Sequence, residues 1–156
     1  MDQTRRNVLK AGGGAGLAAL LATAGMLRSE AALAADWNQT AFGAKNLKDA
    51  YDALGAGNRT QSNDIVMTAP EIAENGAVVP IGVESRLPGT QSIALLIEKN
   101  PLPLAASFDI PAGTEPNIST RVKMGESSNV IALVKADGKY YMAKKEIKIT
   151  LGGCGG

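Results

Sequence analysis

An all-β fold is predicted: an immunoglobulin-like antiparallel β-sandwich of about seven strands, with a short N-terminal helix and a flexible C-terminal arm. Three observations predict it. From Ile65 onward, apolar and polar residues alternate with a period of two. Turn-forming clusters break that alternation at short intervals, as expected for a sandwich of short strands. No long helical pattern lies between the strands, which argues against the alternating α/β classes. The 156 residues divide into a leader over 1–35, a sandwich over 36–151 and a terminal arm over 152–156.

The helix comes first. Trp37, Phe42, Leu47, Tyr51 and Leu54 recur at approximate helical spacing. Asn46 is a natural N-cap and Gly55 a natural stop, so the spacing predicts a helix over Leu47–Leu54. Its apolar side is read as a packing face on the sandwich rather than an aromatic cofactor box.

The strands follow. Ile65–Ala69 opens the series. Val79, Ile81 and Val83 alternate with Pro80, Gly82 and Glu84. Ile93, Leu95 and Ile97 share one face while Ala94 and Leu96 fill the other. Leu104, Ala106, Phe108 and Ile110 alternate with small or polar residues, as do Ile118, Thr120, Val122 and Met124. Val130 to Val134 is nearly all apolar, the signature of a central strand. Asp137-Gly138 signals a two-residue hairpin, from which Lys139 to Leu151 runs back. Glu74-Asn75-Gly76, Leu87-Pro88-Gly89, Asn100-Pro101-Leu102-Pro103, Pro111-Ala112-Gly113 and Gly125-Glu126 supply the other turns.

Composition removes much chemistry. The chain has no histidine and one cysteine, Cys154. Ser-His-Asp and Cys-His catalysis, His-ligated metals, Cys₄ zinc sites and an intrachain disulfide are excluded. No metal and no cofactor are expected, and no independent catalysis. A formal charge of +1, with one Trp, three Tyr and two Phe, provides neither the basic excess nor the stacking surface of a nucleic-acid binder.

The first 35 residues read as an export address. Arg5 and Arg6 open a basic head that continues through Leu9 and Lys10. A charge-free, glycine-weakened run from Ala11 to Leu27 follows, and Ala32 and Ala34 form an A-x-A cleavage site. The pattern resembles twin-arginine signals, with Val8 where Phe is commoner. An uncleaved anchor is the alternative, but the run sits at the short end of the ~17–25 residues that span a bilayer. No cysteine lies near the cleavage site, which excludes a lipoprotein. Export by this route places the protein in the periplasm. Twin-arginine machinery carries folded cargo, so a chain without cofactor ligands is expected to leave the cytoplasm bound to a partner that lacks a signal of its own.

The chemistry concentrates at the C-terminus, Gly152-Gly153-Cys154-Gly155-Gly156. Glycine loses the most freedom on ordering, so this tail is expected to stay off the domain and leave the sulfur accessible. From Leu151 to Cys154 the chain reaches at most ~10 Å, at about 3.3–3.6 Å per residue. An unperturbed thiol near pKa ~8.5 is a few per cent thiolate at neutral pH, enough for attack on sulfur when an external enzyme assists. Cys154 is therefore read as a covalent handle on which other enzymes act. Prenylation does not fit, because it needs the cysteine fourth from the end.

With the leader and the terminal Gly-Gly-Cys-Gly-Gly in view, the chain resembles the SoxY family, sulfur carriers of the Sox thiosulfate-oxidising system. Ala69-Pro70-Glu71-Ile72-Ala73-Glu74-Asn75-Gly76-Ala77, Val79-Pro80 and Glu98-Lys99-Asn100-Pro101 carry the resemblance further, and it extends over nearly the whole chain. It implies an immunoglobulin-like fold and a heterodimer with a SoxZ-like β-sandwich subunit. It also implies that a cytochrome-type enzyme conjugates thiosulfate oxidatively to Cys154. A manganese-dependent hydrolase then releases sulfate, and in some systems a sulfane dehydrogenase oxidises the sulfur that remains.

Two other functions compete. A ubiquitin-like carrier would activate Gly155-Gly156 as a thiocarboxylate, which needs cytoplasmic adenylation and conflicts with the leader. A structural module would use Cys154 for an intermolecular disulfide. Lys144, Lys145 and Lys148 precede the arm and offer an anion-steering patch. The blander assignment is a solvated strand face on which Lys144, Glu146, Lys148 and Thr150 lie opposite Ile147, Ile149 and Leu151.

Overall fold

The period-two runs are realised as two sheets packed face to face. A computed structural model describes residues 37–150. Two short helices, α1 (Gln39–Gly43) and α2 (Leu47–Leu54), come first. Nine strands follow among the described residues: β1 (Arg59–Gln61), β2 (Ile65–Thr68), β3 (Ile72–Ala73), β4 (Val79–Ser85), β5 (Thr90–Ile97), β6 (Leu104–Asp109), β7 (Asn117–Val122), β8 (Ser128–Ala136) and β9 (Lys139–Ile149). The larger sheet has the order β1-β9-β8-β5-β6, with β3 also on β9, and the smaller is β2-β4-β7. The seven predicted strands are all present, their ends within three residues of those expected. The two additional strands are very short, and both run parallel to β9, so the sandwich is not purely antiparallel.

Alternation explains the layers. Ile93, Leu95 and Ile97 of β5, and Val130, Ala132 and Val134 of β8, point between the sheets. They meet Val79, Ile81 and Val83 from β4 and Ile147 from β9. The opposite faces of β5 and β8 carry Ala94, Leu96, Ile131 and Leu133, which pack beneath the helices against Ala41, Ala50 and Tyr51. These two strands are buried on both sides, which is why their sequences are nearly continuous in apolar residues. Full burial of one such Leu or Ile is worth about 1.5–3 kcal/mol.

Helix α2 matches its predicted bounds. Asp49 N donates to Asn46 Oδ1 at 2.9 Å, and Gly55 closes the helix at φ 73°. Helix α1 was not predicted. It is one turn long, capped by Asn38 Oδ1 accepting from Ala41 N at 3.0 Å. The aromatic series is a packing face in part: Tyr51 is buried, whereas Trp37 is 63% exposed. The Arg59 guanidinium lies 3.6 Å from the Tyr51 ring centroid. Burial pushes the Tyr51 hydroxyl above its ordinary value, with Arg59 pulling the other way.

The β8–β9 hairpin closes with positive φ at both Asp137 and Gly138, the backbone of a type I′ turn. β9 then crosses the whole molecule, from this turn to the opposite end of the sandwich.

Candidate functional site

β9 is the strand that leads to the C-terminus, and its last residues are braced from both sides. Lys148 N donates to Glu71 O at 2.9 Å and Thr150 N to Ala73 O at 3.2 Å, which is the β3 ladder. Between them Ile149 N donates the other way, to Ser127 Oγ at 2.9 Å. The chain therefore enters residue 151 from a fixed backbone position rather than from a fraying strand end.

The segment that holds it is the longest of the internal motifs. Asn75 Oδ1 accepts from Ala77 N at 2.9 Å and folds Asn75–Val78 into a turn against β9. Gly76 sits at the contact. A Cβ there would lie 2.5 Å from Met124 O and 3.2 Å from Ile149 Cγ2, so the turn admits glycine only. Gly76 O in turn accepts from Met124 N at 2.7 Å.

The second motif braces the same end from the other side. Asn100 Nδ2 donates to Lys123 O at 2.8 Å, while its Oδ1 accepts from Gly125 N at 3.2 Å. One side chain thus spans the loop between β7 and β8. Lys99 N donates to the buried Ser128 Oγ at 3.0 Å, and Asn129 Nδ2 donates to Glu98 Oε2 at 2.7 Å. Sequence reading singled out both motifs but not their common place, because strand pairing rather than chain order brings them together.

The lysines do not form one patch. Lys144 and Lys148 are exposed on the outer face, as predicted for a solvated face, together with Glu146 and Thr150. Lys145 lies on the inner side, where its Nζ donates to Ala69 O at 2.6 Å. That bond anchors the chain leaving β2 to β9 and commits Lys145 to the fold.

A cleft of about 560 Å³ opens beside α2, lined by Tyr51, Arg59, Glu98, Asn129, Met142 and Lys144 among others. Its lining mixes both signs of charge and contains no thiol. Among the described residues, no cluster of three or more His, Cys, Asp or Glu is placed to hold a metal. No helix there is long and apolar enough to cross a membrane. The predicted site residues Cys154, Gly152, Gly153, Gly155 and Gly156, and the export residues Arg5 and Arg6, lie outside the described residues. Four residue steps separate Thr150 from Cys154, a reach of at most about 13–14 Å.

Comparison with known proteins identifies this arrangement. The family model described as "Sulfur oxidation protein SoxY" matches residues 50–154, a span that ends at Cys154. A solved structure, that of the sulfur carrier protein SoxY from Chlorobium limicola f thiosulfatophilum, is 39% identical and superposes with a TM-score of 0.61. The match covers 72% of this chain and 99% of that one. No curated protein matches. Fold and matches together define the class: a sulfur carrier protein of sulfur oxidation. The chain belongs to the SoxY family.

Proposed function

We propose that this protein carries sulfur covalently on the Cys154 thiol and presents it to separate enzymes in the periplasm. The observation that carries the proposal is the position of the chain's sole cysteine, four residues beyond Thr150, where the chain leaving β9 is braced by Glu71, Ala73 and Ser127. Loading is an oxidation. The Cys154 sulfur forms an S–S bond to the sulfane sulfur of thiosulfate, the thiol loses its proton, and two electrons pass to a cytochrome-type conjugating enzyme. Water then cleaves the terminal S–S bond of the adduct on a manganese-dependent hydrolase. Sulfate and two protons leave, and a persulfide remains on Cys154. A sulfane dehydrogenase is the enzyme class suited to oxidise that persulfide. The carrier supplies position and reach and needs neither metal nor cofactor of its own, since histidine is absent and the one thiol is occupied by cargo.

Arg5 and Arg6 direct twin-arginine export, with removal of residues 1–35. The partner in export is a SoxZ-like β-sandwich subunit that travels with the folded carrier. The glycines at 152, 153, 155 and 156 form the flexible arm that threads into an enzyme channel, where any larger side chain adds width and stiffness. Replacing Cys154 with Ser tests the proposal: thiosulfate-dependent electron transfer to the conjugating enzyme is abolished, while the melting temperature stays that of the parent. Full turnover in the serine variant would contradict it.

A further inference from the structure

Four large apolar side chains are exposed among the described residues: Trp37, Ile72, Val78 and Leu102. Three of them share one end of the sandwich. Register fixes this. Ser128, at the start of β8, pairs with Ile147 near the end of β9, and Ile97, at the end of β5, pairs with Val130. The β5–β6 loop that carries Leu102 therefore emerges at the end where the arm leaves. Val79 pairs with Val122, whose strand runs into the loop that braces Ile149, so Val78 emerges there too. Ile72 pairs with Lys148 itself. Their exposures are 59% for Ile72, 52% for Val78 and 49% for Leu102.

We infer that Ile72, Val78 and Leu102 form an apolar collar around the root of the arm, and that the enzymes acting on the Cys154 sulfur dock on it. The inference rests on the carrier function proposed above. Its occupant follows from the length of chain beyond the strand. An arm of four residues reaches at most about 13–14 Å from Thr150. An enzyme that takes the Cys154 sulfur into a catalytic cleft must then bring the rim of that cleft against the surface around Thr150. Exposed apolar groups are costly in water unless something covers them, and here three of them share the end of the sandwich that such a rim has to touch. The matching chemistry is an apolar rim around a channel just wide enough for a glycine-flanked chain. One collar serves successive enzymes, because each has to approach the same root.

The test uses the mature protein with its partner subunit and the purified conjugating cytochrome. In one protein Ile72, Val78 and Leu102 are all changed to Ser. In the control, Ala112→Glu alters an exposed turn at the far end of the sandwich. The triple variant is expected to load thiosulfate with kcat/KM reduced about tenfold or more, mainly through KM. Alkylation of Cys154 by iodoacetamide, the melting temperature and the elution volume of the complex stay those of the parent. If the triple variant does not fold, the three single variants are compared, and each is expected to raise KM. Loading unchanged in the variants while the parent loads normally overturns the collar and leaves the carrier function standing. A variant that loses its partner subunit, or a parent that self-associates where the variant does not, assigns the surface to a subunit interface and overturns the inference. A parent that loads nothing on Cys154 refutes the carrier function and the collar with it.

Discussion

Ile149 faces Gly76 across the last turn of chain before the arm, its Cγ2 3.2 Å from where a Cβ on Gly76 would stand. The same Cβ would meet Met124 O at 2.5 Å. The Met124 oxygen is backbone, held by its own loop, and cannot swing aside. Gly76→Ala is therefore expected to lower stability by about 1–3 kcal/mol. Urea unfolding checks it. A change below about 0.5 kcal/mol would show that the turn is not pressed against β9.

Asn100 bonds to both sides of the β7–β8 loop through one amide. Asn100→Ala removes the donor to Lys123 O and the acceptor for Gly125 N, both at an exposed site where water can replace them. The expected cost is about 1–2 kcal/mol. Amide exchange at Gly125 and Ser127 is expected to quicken more than at β4. Uniform exchange would mean that the loop is held by other contacts.

Much of this architecture was legible in the sequence, and the parts that were not have physical reasons. Asn46, Gly55 and the apolar spacing between them specify α2 locally, so its bounds could be read directly. Helix α1 has a single buried residue, Ala41, and its packing rather than its periodicity holds it. β1 and β3 are three and two residues long, and only the pairing partner β9 defines them. In β5, the two-sided burial was visible as Ile93, Leu95 and Ile97 against Ala94 and Leu96. Lys145 neighbours Lys144 in the chain, but period-two alternation puts it on the other face with Ile147 and Ile149, so the three lysines could not share one patch; only its acceptor, Ala69 O, needed the fold. The thiol and its glycines are read from the sequence alone and lie outside the described residues. The braces beneath them needed the fold, since Glu71, Gly76, Asn100 and Ser127 converge only through strand pairing.

Tyr51 gives a pH dependence with a definite sign. Burial raises its hydroxyl pKa in the folded state above the unfolded value near ~10, with Arg59 offsetting part of the effect. The folded protein thus holds this proton more tightly than the unfolded chain does. The contribution is fully present below pH ~10 and is lost as pH rises through the folded-state pKa. Tyr51→Phe cannot ionise, so its melting temperature is expected to fall less steeply than the parent's between about pH 9.5 and 11. Equal slopes would contradict this origin.

The terminal glycines separate the thiol mechanism from thiocarboxylate chemistry. Deleting Gly156 abolishes activation of a terminal di-glycine but leaves the Cys154 sulfur in place. Thiosulfate loading is expected to continue at a reduced rate in the deletion, as measured by electron transfer to the conjugating enzyme. Complete loss of loading, with Cys154 still open to iodoacetamide, would favour the thiocarboxylate route.

The most direct test of the carrier function is the intact mass of the mature protein recovered from cells growing on thiosulfate, before and after reduction. The expected result is a chain lacking residues 1–35. Its mass is increased by the two sulfur and three oxygen atoms of one thiosulfate, or by one sulfur atom, and fragmentation places the increase on Cys154. Reduction returns it to the unmodified mass, and the Cys154→Ser protein shows no increase. A mature chain that never carries added sulfur during thiosulfate oxidation, or carries it equally well without Cys154, would contradict the account.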